Sequence, residues 1–162
     1  VTHYLWHLRV PLFHFWRLTM NHENENPKAV TRSLIPEDQR LSHTAKLFDA
    51  HFPMVIETVV YGITGRMDEA YHGGYWHFYS LDNGGFYMAP DDEEVFQVSC
   101  DNYFAGELSA DAIGITVCLY AYSHCSFSKD KVFGRKCADH YHRVKAFMLE
   151  HLEVASILRA ID

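Results

Sequence analysis

Apolar residues along this chain fall at helical spacing towards both ends and alternate with other residues in the middle. Ile56, Val60, Ile63, Met67 and Ala70 recur at steps of four and three, which predicts a helix opened by Pro53. The β-branched residues between 55 and 60 favour strand, and Gly62 and Gly65 weaken both readings; the helical stripe is preferred. Upstream, Pro36 suits a first helical position, and Glu37 and Asp38 suit the positive end of the dipole. Leu34 and Leu41 are expected to anchor that short helix. Residues 20–33 show no apolar period and read as a flexible arm.

The middle begins with "GGYWHFYSLDNGGFYMAP", residues 73–90, two aromatic runs around Asp82-Asn83-Gly84-Gly85. Asn83-Gly84 between alternating runs signals a type I′ hairpin, because both residues accept positive φ. A turn centred there pairs Leu81 with Phe86 and Tyr79 with Met88. One face then carries Tyr75, His77, Tyr79, Leu81, Phe86 and Met88; the other carries Trp76, Phe78, Ser80, Tyr87 and Ala89. Neither face is polar, so helices cover both or one awaits a partner. "VFQVSC" and "YFAGEL" extend the pattern to about four strands, with a turn at Asp101-Asn102.

Ser109 suits an N-cap, with Asp111 in the first turn. The uncharged run from Ala112 to Phe127 predicts a buried central helix, with Ala112, Gly114 and Ala121 allowing close approach to the sheet. Phe133, Cys137, Tyr141, Val144 and Met148 mark an amphipathic helix with an Arg135–Asp139–Arg143 ladder on its wet side. Val154, Ile157, Leu158 and Ile161 mark the last helix. The expected class is α+β: one compact domain over residues 34–162, an antiparallel β-meander packed with helices from the N- and C-terminal segments.

Composition fits an ordinary folded chain, 48% apolar and 22% charged, so disorder is excluded. Four cysteines without a CxxC pair read as reduced core thiols of a cytoplasmic protein. Residues 1–19 are too polar for a membrane span and lack the features of a signal peptide. Met20 is the expected natural start, so 1–33 reads as a non-native leader followed by the arm. The net charge of −7 is uneven: residues 67–128 contain ten acids and no Lys or Arg. Such a block disfavours DNA phosphates and favours a basic partner if its charges share a face.

Twelve histidines give no zinc-ligand spacing, and His140 and His142 point to different sides of a helix, so no metal or other cofactor is expected. There is no GxSxG elbow, P-loop or GxGxxG after a strand, and no catalytic residue is assigned. Glu107 and Asp111 flank a helix start, where the dipole suffices to explain them; His124 lies about 20 Å along that helix and cannot join them. Lys129, Lys131, Arg135, Lys136, Arg143 and Lys145 are interleaved with acids and read as a solvated face. DNA mimicry needs about 20 or more ordered acids, and ten fall short.

"GGYWHFYSLDNGGFYMAP", "GELSADAIGI", "YHRVKAF" and the closing "RAID" resemble the ArdB/KlcA antirestriction family, with "LIPEDQRL" similar to its N-terminal motif. The matches run from about Leu34 to Asp162. Asp101-Asn102-Tyr103 departs where a glycine is expected near the turn. The resemblance implies a cytoplasmic α+β protein of plasmids and other mobile elements, without cofactor or catalysis. It would let unmodified DNA escape type I restriction–modification enzymes. The alternative is a DNA-binding or replication-associated accessory protein of such an element. Trp76 and Phe78 read as core. Binding is expected at Tyr75, His77 and Tyr79, with the acidic loop Asp91, Asp92, Glu93 and Glu94 beside them.

Overall fold

The computed structural model describes residues 28–92 and 95–162. The leader, the start at Met20, and the side chains of Glu93 and Glu94 lie outside the described residues. In chain order the elements are β1 (Arg32–Leu34), α1 (Glu37–Phe48), a π-helical turn (Phe52–Ile56), α2 (Glu57–Met67), β2 (Trp76–Leu81) and β3 (Phe86–Pro90). Then come β4 (Phe96–Ser99), β5 (Ala105–Leu108), α3 (Ala110–Ser126), α4 (Lys131–Met148) and α5 (Val154–Ile161). The class is α+β. The four expected strands are present, but they form two hairpins in separate sheets, ordered β1-β2-β3 and β4-β5, all antiparallel.

Side chains seal the strand edges that a continuous meander would pair. Helix α3 lies along the outer edge of β3, where the Tyr122 hydroxyl donates to Phe86 O at 2.9 Å and Met88 N donates to Cys118 Sγ at 3.4 Å. Asp68 occupies the edge of β4, accepting from Gln97 N at 3.2 Å. Covered edges cannot recruit further strands. The run of uncharged residues in α3 matches its place: every residue from Ala112 to Leu119 is buried.

The first hairpin corrects the expected register by one residue. Tyr79 pairs with Tyr87 and Phe78 with Met88. Gly84 N donates to Leu81 O at 2.9 Å and Leu81 N to Gly85 O at 2.9 Å, so the loop has three residues and only Gly84 takes positive φ (81°). This is a turn closed by a left-handed residue in place of the two-residue I′ turn. Because side chains alternate, the one-residue change moves Phe86 and Met88 onto the Trp76–Phe78 face and Tyr87 onto the Tyr79 face. The first face packs on Phe48 and Phe52: Phe52 sits 5.4 Å from Phe78 and 5.5 Å from Phe86, ring to ring. Trp76 and Phe78 are core, as expected.

The N-terminal expectations need two corrections. Arg32-Ser33-Leu34, assigned to the arm and the first helix, pair with β2 instead, and Thr31 is tied to Asp82 by two hydrogen bonds of 3.0 and 2.9 Å. Leu34 and Leu41 do not anchor α1; both are exposed, and Ile35, Thr44 and Phe48 are buried in their stead. The stripe of Ile56, Val60, Ile63 and Met67 is buried as predicted, while Ala70 falls beyond α2 and is exposed. In α4, Arg143 donates to Gly84 O at 3.2 Å, so it braces the hairpin where a ladder with Asp139 was expected. Cys118, Cys125 and Cys137 are buried free thiols and Cys100 is half-buried.

Among the described residues His140 is the one buried histidine, 3% exposed, with its ring 4.6 Å from Phe48 and 5.6 Å from Tyr122. Burial, reinforced by Arg143, pushes its pKa down to about 4. The unfolded chain, with His near pKa 6.5, therefore binds this proton first, and stability falls as pH drops from about 6.5 towards 4. Urea unfolding should show about 2 kcal/mol less stability at pH 5 than at pH 7 from this group. In His140→Phe that part of the slope should vanish; an unchanged slope would place the acid sensitivity elsewhere.

Candidate functional site

The outward face of β2, the loop after β3 and the first turn of α3 enclose a cleft of about 320 Å³. Alternation along β2 turns Trp76 and Phe78 inward and therefore presents His77 and Tyr79, with Tyr75 just before the strand, to this side. The three rings form a file: Tyr75 to His77 is 5.5 Å and His77 to Tyr79 is 6.2 Å between centroids, each edge-on. Tyr75 stands at the rim, 46% exposed, under the Arg40 guanidinium at 4.7 Å.

The chain leaves β3 with Asp91 N donating to Tyr75 O at 2.8 Å, which places the Asp91 carboxylate 3.0 Å from His77 Nε2. Asp92 also lines the cleft. The structure therefore brings together His77, Tyr79, Asp91 and Asp92 as lining residues, with Tyr75 at the edge.

Behind the aromatic file lies a charged node that the sequence reading did not assemble. Tyr87 stacks on Tyr79 at 5.0 Å and donates to Asp111 Oδ1 at 2.8 Å. Arg32 donates to both Tyr87 Oη and Asp111, and its guanidinium lies 4.6 Å over Tyr79. Glu153 N donates to His151 Nδ1 at 3.0 Å, so Nε2 carries the proton it donates to Asp111 Oδ2 at 3.1 Å. Glu153 in turn accepts from Ser109 N at 3.0 Å, and Ser109 caps α3 by accepting from Ala112 N at 3.2 Å.

The titrations follow from these contacts. Burial would raise Asp111, but the bonds from His151, Tyr87 and Arg32 outweigh it and hold the carboxyl below its usual range. Burial, with the negative charge of Asp111, pushes Tyr87 well up. Burial likewise raises Tyr79, against the pull of Arg32. At neutral pH the node is thus one carboxylate saturated by three donors, with both tyrosines protonated. Such a set fixes geometry: it holds the α3 terminus against β1 and β3.

The residues missed have identifiable reasons. Arg32 sits in a strand of three residues, too short to show a period. Tyr87 was placed on the wrong face by the register. Of Glu107, Asp111 and His124, Asp111 is in the node, while His124 is at the other end of α3 and Glu107 instead accepts from Gln97 Nε2 at 2.9 Å. A larger hollow of about 450 Å³ lies between α2, α3 and the β4–β5 turn; its described lining includes none of the aromatic file. Among the described residues no three His, Cys, Asp or Glu side chains converge as a metal requires. No described helix is long and apolar enough to cross a membrane.

With this geometry in view, comparison with known proteins is specific. The family model described as antirestriction protein matches residues 69–162. An antirestriction protein KlcA of Escherichia coli is 41% identical over 84% of this chain and 96% of its own length. Another KlcA of that species is 41% identical over 86% of this chain and 99% of its own. A solved structure, from work on a novel fold in KlcA and ArdB, superposes with a TM-score of 0.75. It is 41% identical and covers 82% of this chain and 95% of that one. The same work found activity of those proteins against type I DNA restriction systems in vivo but not in vitro.

Proposed function

The chain belongs to the antirestriction protein family, and on that premise we propose that it works through the cleft beside the Tyr75–His77–Tyr79 file. It is an antirestriction protein that acts against type I DNA restriction systems, sparing incoming unmodified DNA. The observation that carries this is the agreement of sequence and fold with KlcA across nearly the whole of each relative.

We read the action as non-catalytic and cytoplasmic, through binding of a protein of the restriction machinery. The KlcA and ArdB result in vivo but not in vitro supports a contact that needs a further component of the cell. Direct DNA binding fits less well. The block from 67 to 128 carries no Lys or Arg, and Arg32, the one Lys or Arg among the described residues that line the cleft, is committed to Asp111. Charge mimicry of DNA also fits poorly, since Asp68 is buried on backbone donors, Asp82 is tied to Thr31, and Asp111 is saturated. Charges so dispersed make no ordered row.

The test is the plating of unmodified phage on cells that carry a type I system, with and without this chain. Expression should raise plating by at least about tenfold. Equal plating would remove the antirestriction reading. Titration of duplex DNA at two salt concentrations checks the alternative of DNA binding, which would show a steep salt slope.

A further inference from the structure

The two hairpins close in the same way. In the first, Gly84 N donates to Leu81 O at 2.9 Å and Gly85 N donates to Asn83 Oδ1 at 2.9 Å. In the second, Tyr103 N donates to Cys100 O at 3.0 Å and Phe104 N donates to Asn102 Oδ1 at 3.0 Å. Both asparagines also spend their amide on a helix carbonyl: Asn83 on Arg143 O at 2.9 Å, Asn102 on Arg159 O at 2.9 Å. The third loop position must take positive φ in each. Gly84 does so at 81°, and Tyr103 does so at 68°.

That conformation is unfavourable for a residue with a Cβ, and a bulky aromatic is a rare occupant. No side-chain contact among the described residues repays it. The Tyr103 side chain is 98% exposed and makes no hydrogen bond or ring contact among the described residues. The tip is nevertheless held firmly, because Asn102 also reaches Ala160 O and Asp162 O at 3.2 Å each. A strained residue presented on a rigid support, with no internal role, points outward for its function.

We propose that Tyr103 is an anchor that inserts into a pocket of a partner protein, as the far end of one interface that begins at the cleft. This extends the reading of the cleft given above and rests on it. Val95 and Ser109, which flank β4 and β5, both line the cleft, and the hairpin runs from there to its tip over four residue pairs, about 13 Å. Its outward side chains Gln97, Ser99 and Glu107 are exposed along the way. Asp101 adjoins Tyr103 at the tip, while Arg159 is held back over the Phe104 ring at 5.0 Å, so the complementary pocket is apolar with a basic group facing Asp101.

The experiment compares the parent, Tyr103→Gly and Tyr103→Asn in cells with a type I system, and measures melting temperature and binding to a 20-base-pair duplex on the purified proteins. Glycine relieves the backbone, so Tyr103→Gly should melt at least as high as the parent, by about 2 °C more. Both variants should lose protection by tenfold or more. If the parent protects and both variants protect equally well, the anchor is refuted while the antirestriction reading stands. If the parent itself does not protect, that reading fails and the inference falls with it. Loss of duplex binding in Tyr103→Gly, against binding by the parent, would make the tip a nucleic-acid contact and overturn the protein partner.

Discussion

Gly114→Ala should destabilise the protein by about 2–4 kcal/mol, although alanine is the better helix former. A Cβ on Gly114 would stand 2.4 Å from Ala89 Cβ, 2.6 Å from Ala89 Cα and 2.7 Å from Met88 O. Two of these are backbone atoms of β3, so no rotamer change makes room. Helix α3 must instead withdraw from the strand, which stretches the bonds from Tyr122 to Phe86 O and between Cys118 and Met88. Overpacking costs about 1–3 kcal/mol, and each weakened buried bond adds roughly 1 kcal/mol. The gain in helix propensity, about 1 kcal/mol, offsets only part of this. A net loss of about 2–4 kcal/mol is expected from urea unfolding. Gly62→Ala supplies the contrast: nothing lies within 4 Å of its Cβ position, so this change in α2 should be neutral or stabilise by up to about 1 kcal/mol. Equal stabilities for the two variants would mean that α3 does not lie on β3 as described.

This contact also shows what a one-dimensional pattern can carry. The lack of charge from 112 to 127 made α3 a buried helix, and Gly114 in it a point of close approach; both hold. Alternation in β2 put Tyr75, His77 and Tyr79 on one side and Trp76 and Phe78 on the other, and this too holds. Alternation cannot fix how two strands align, however. That depended on whether both Asn83 and Gly84 or Gly84 alone takes positive φ, and the deciding bond is from Leu81 N to Gly85 O, across the loop. The misplaced register hid Tyr87 from the candidate site. Arg32 and Asp111 are 79 residues apart and His151 is 40 beyond Asp111, so no spacing rule joins them. The stretch Asp101-Asn102-Tyr103 was legible only as lacking a glycine near the turn; the positive φ of Tyr103 identifies the position.

Tyr75→Ala combined with Tyr79→Ala should abolish most of the protection against type I restriction. Tyr75 is a rim aromatic, half exposed, and Tyr79 walls the cleft between Arg32 and Tyr87. Two aromatic contacts of about 2 kcal/mol each would lower partner affinity by a factor on the order of a thousand. The Arg32–Asp111 and Tyr87–Asp111 bonds remain in this variant, so its circular dichroism should match the parent's. Neutralising Asp91, Asp92, Glu93 and Glu94 to Asn or Gln should do much less. Asp91 faces His77 at 3.0 Å from a half-exposed position, and rim charges alter the rate of encounter more than the lifetime of a complex. A reduction in plating of no more than about threefold is expected from the acidic variant, with the loss growing at low salt as steering predicts. The two variants measured side by side separate a shaped aromatic surface from a charge display. Complete loss of protection in the acidic variant with its fold intact, and retention in the tyrosine pair, would transfer recognition from the rings to the carboxylates.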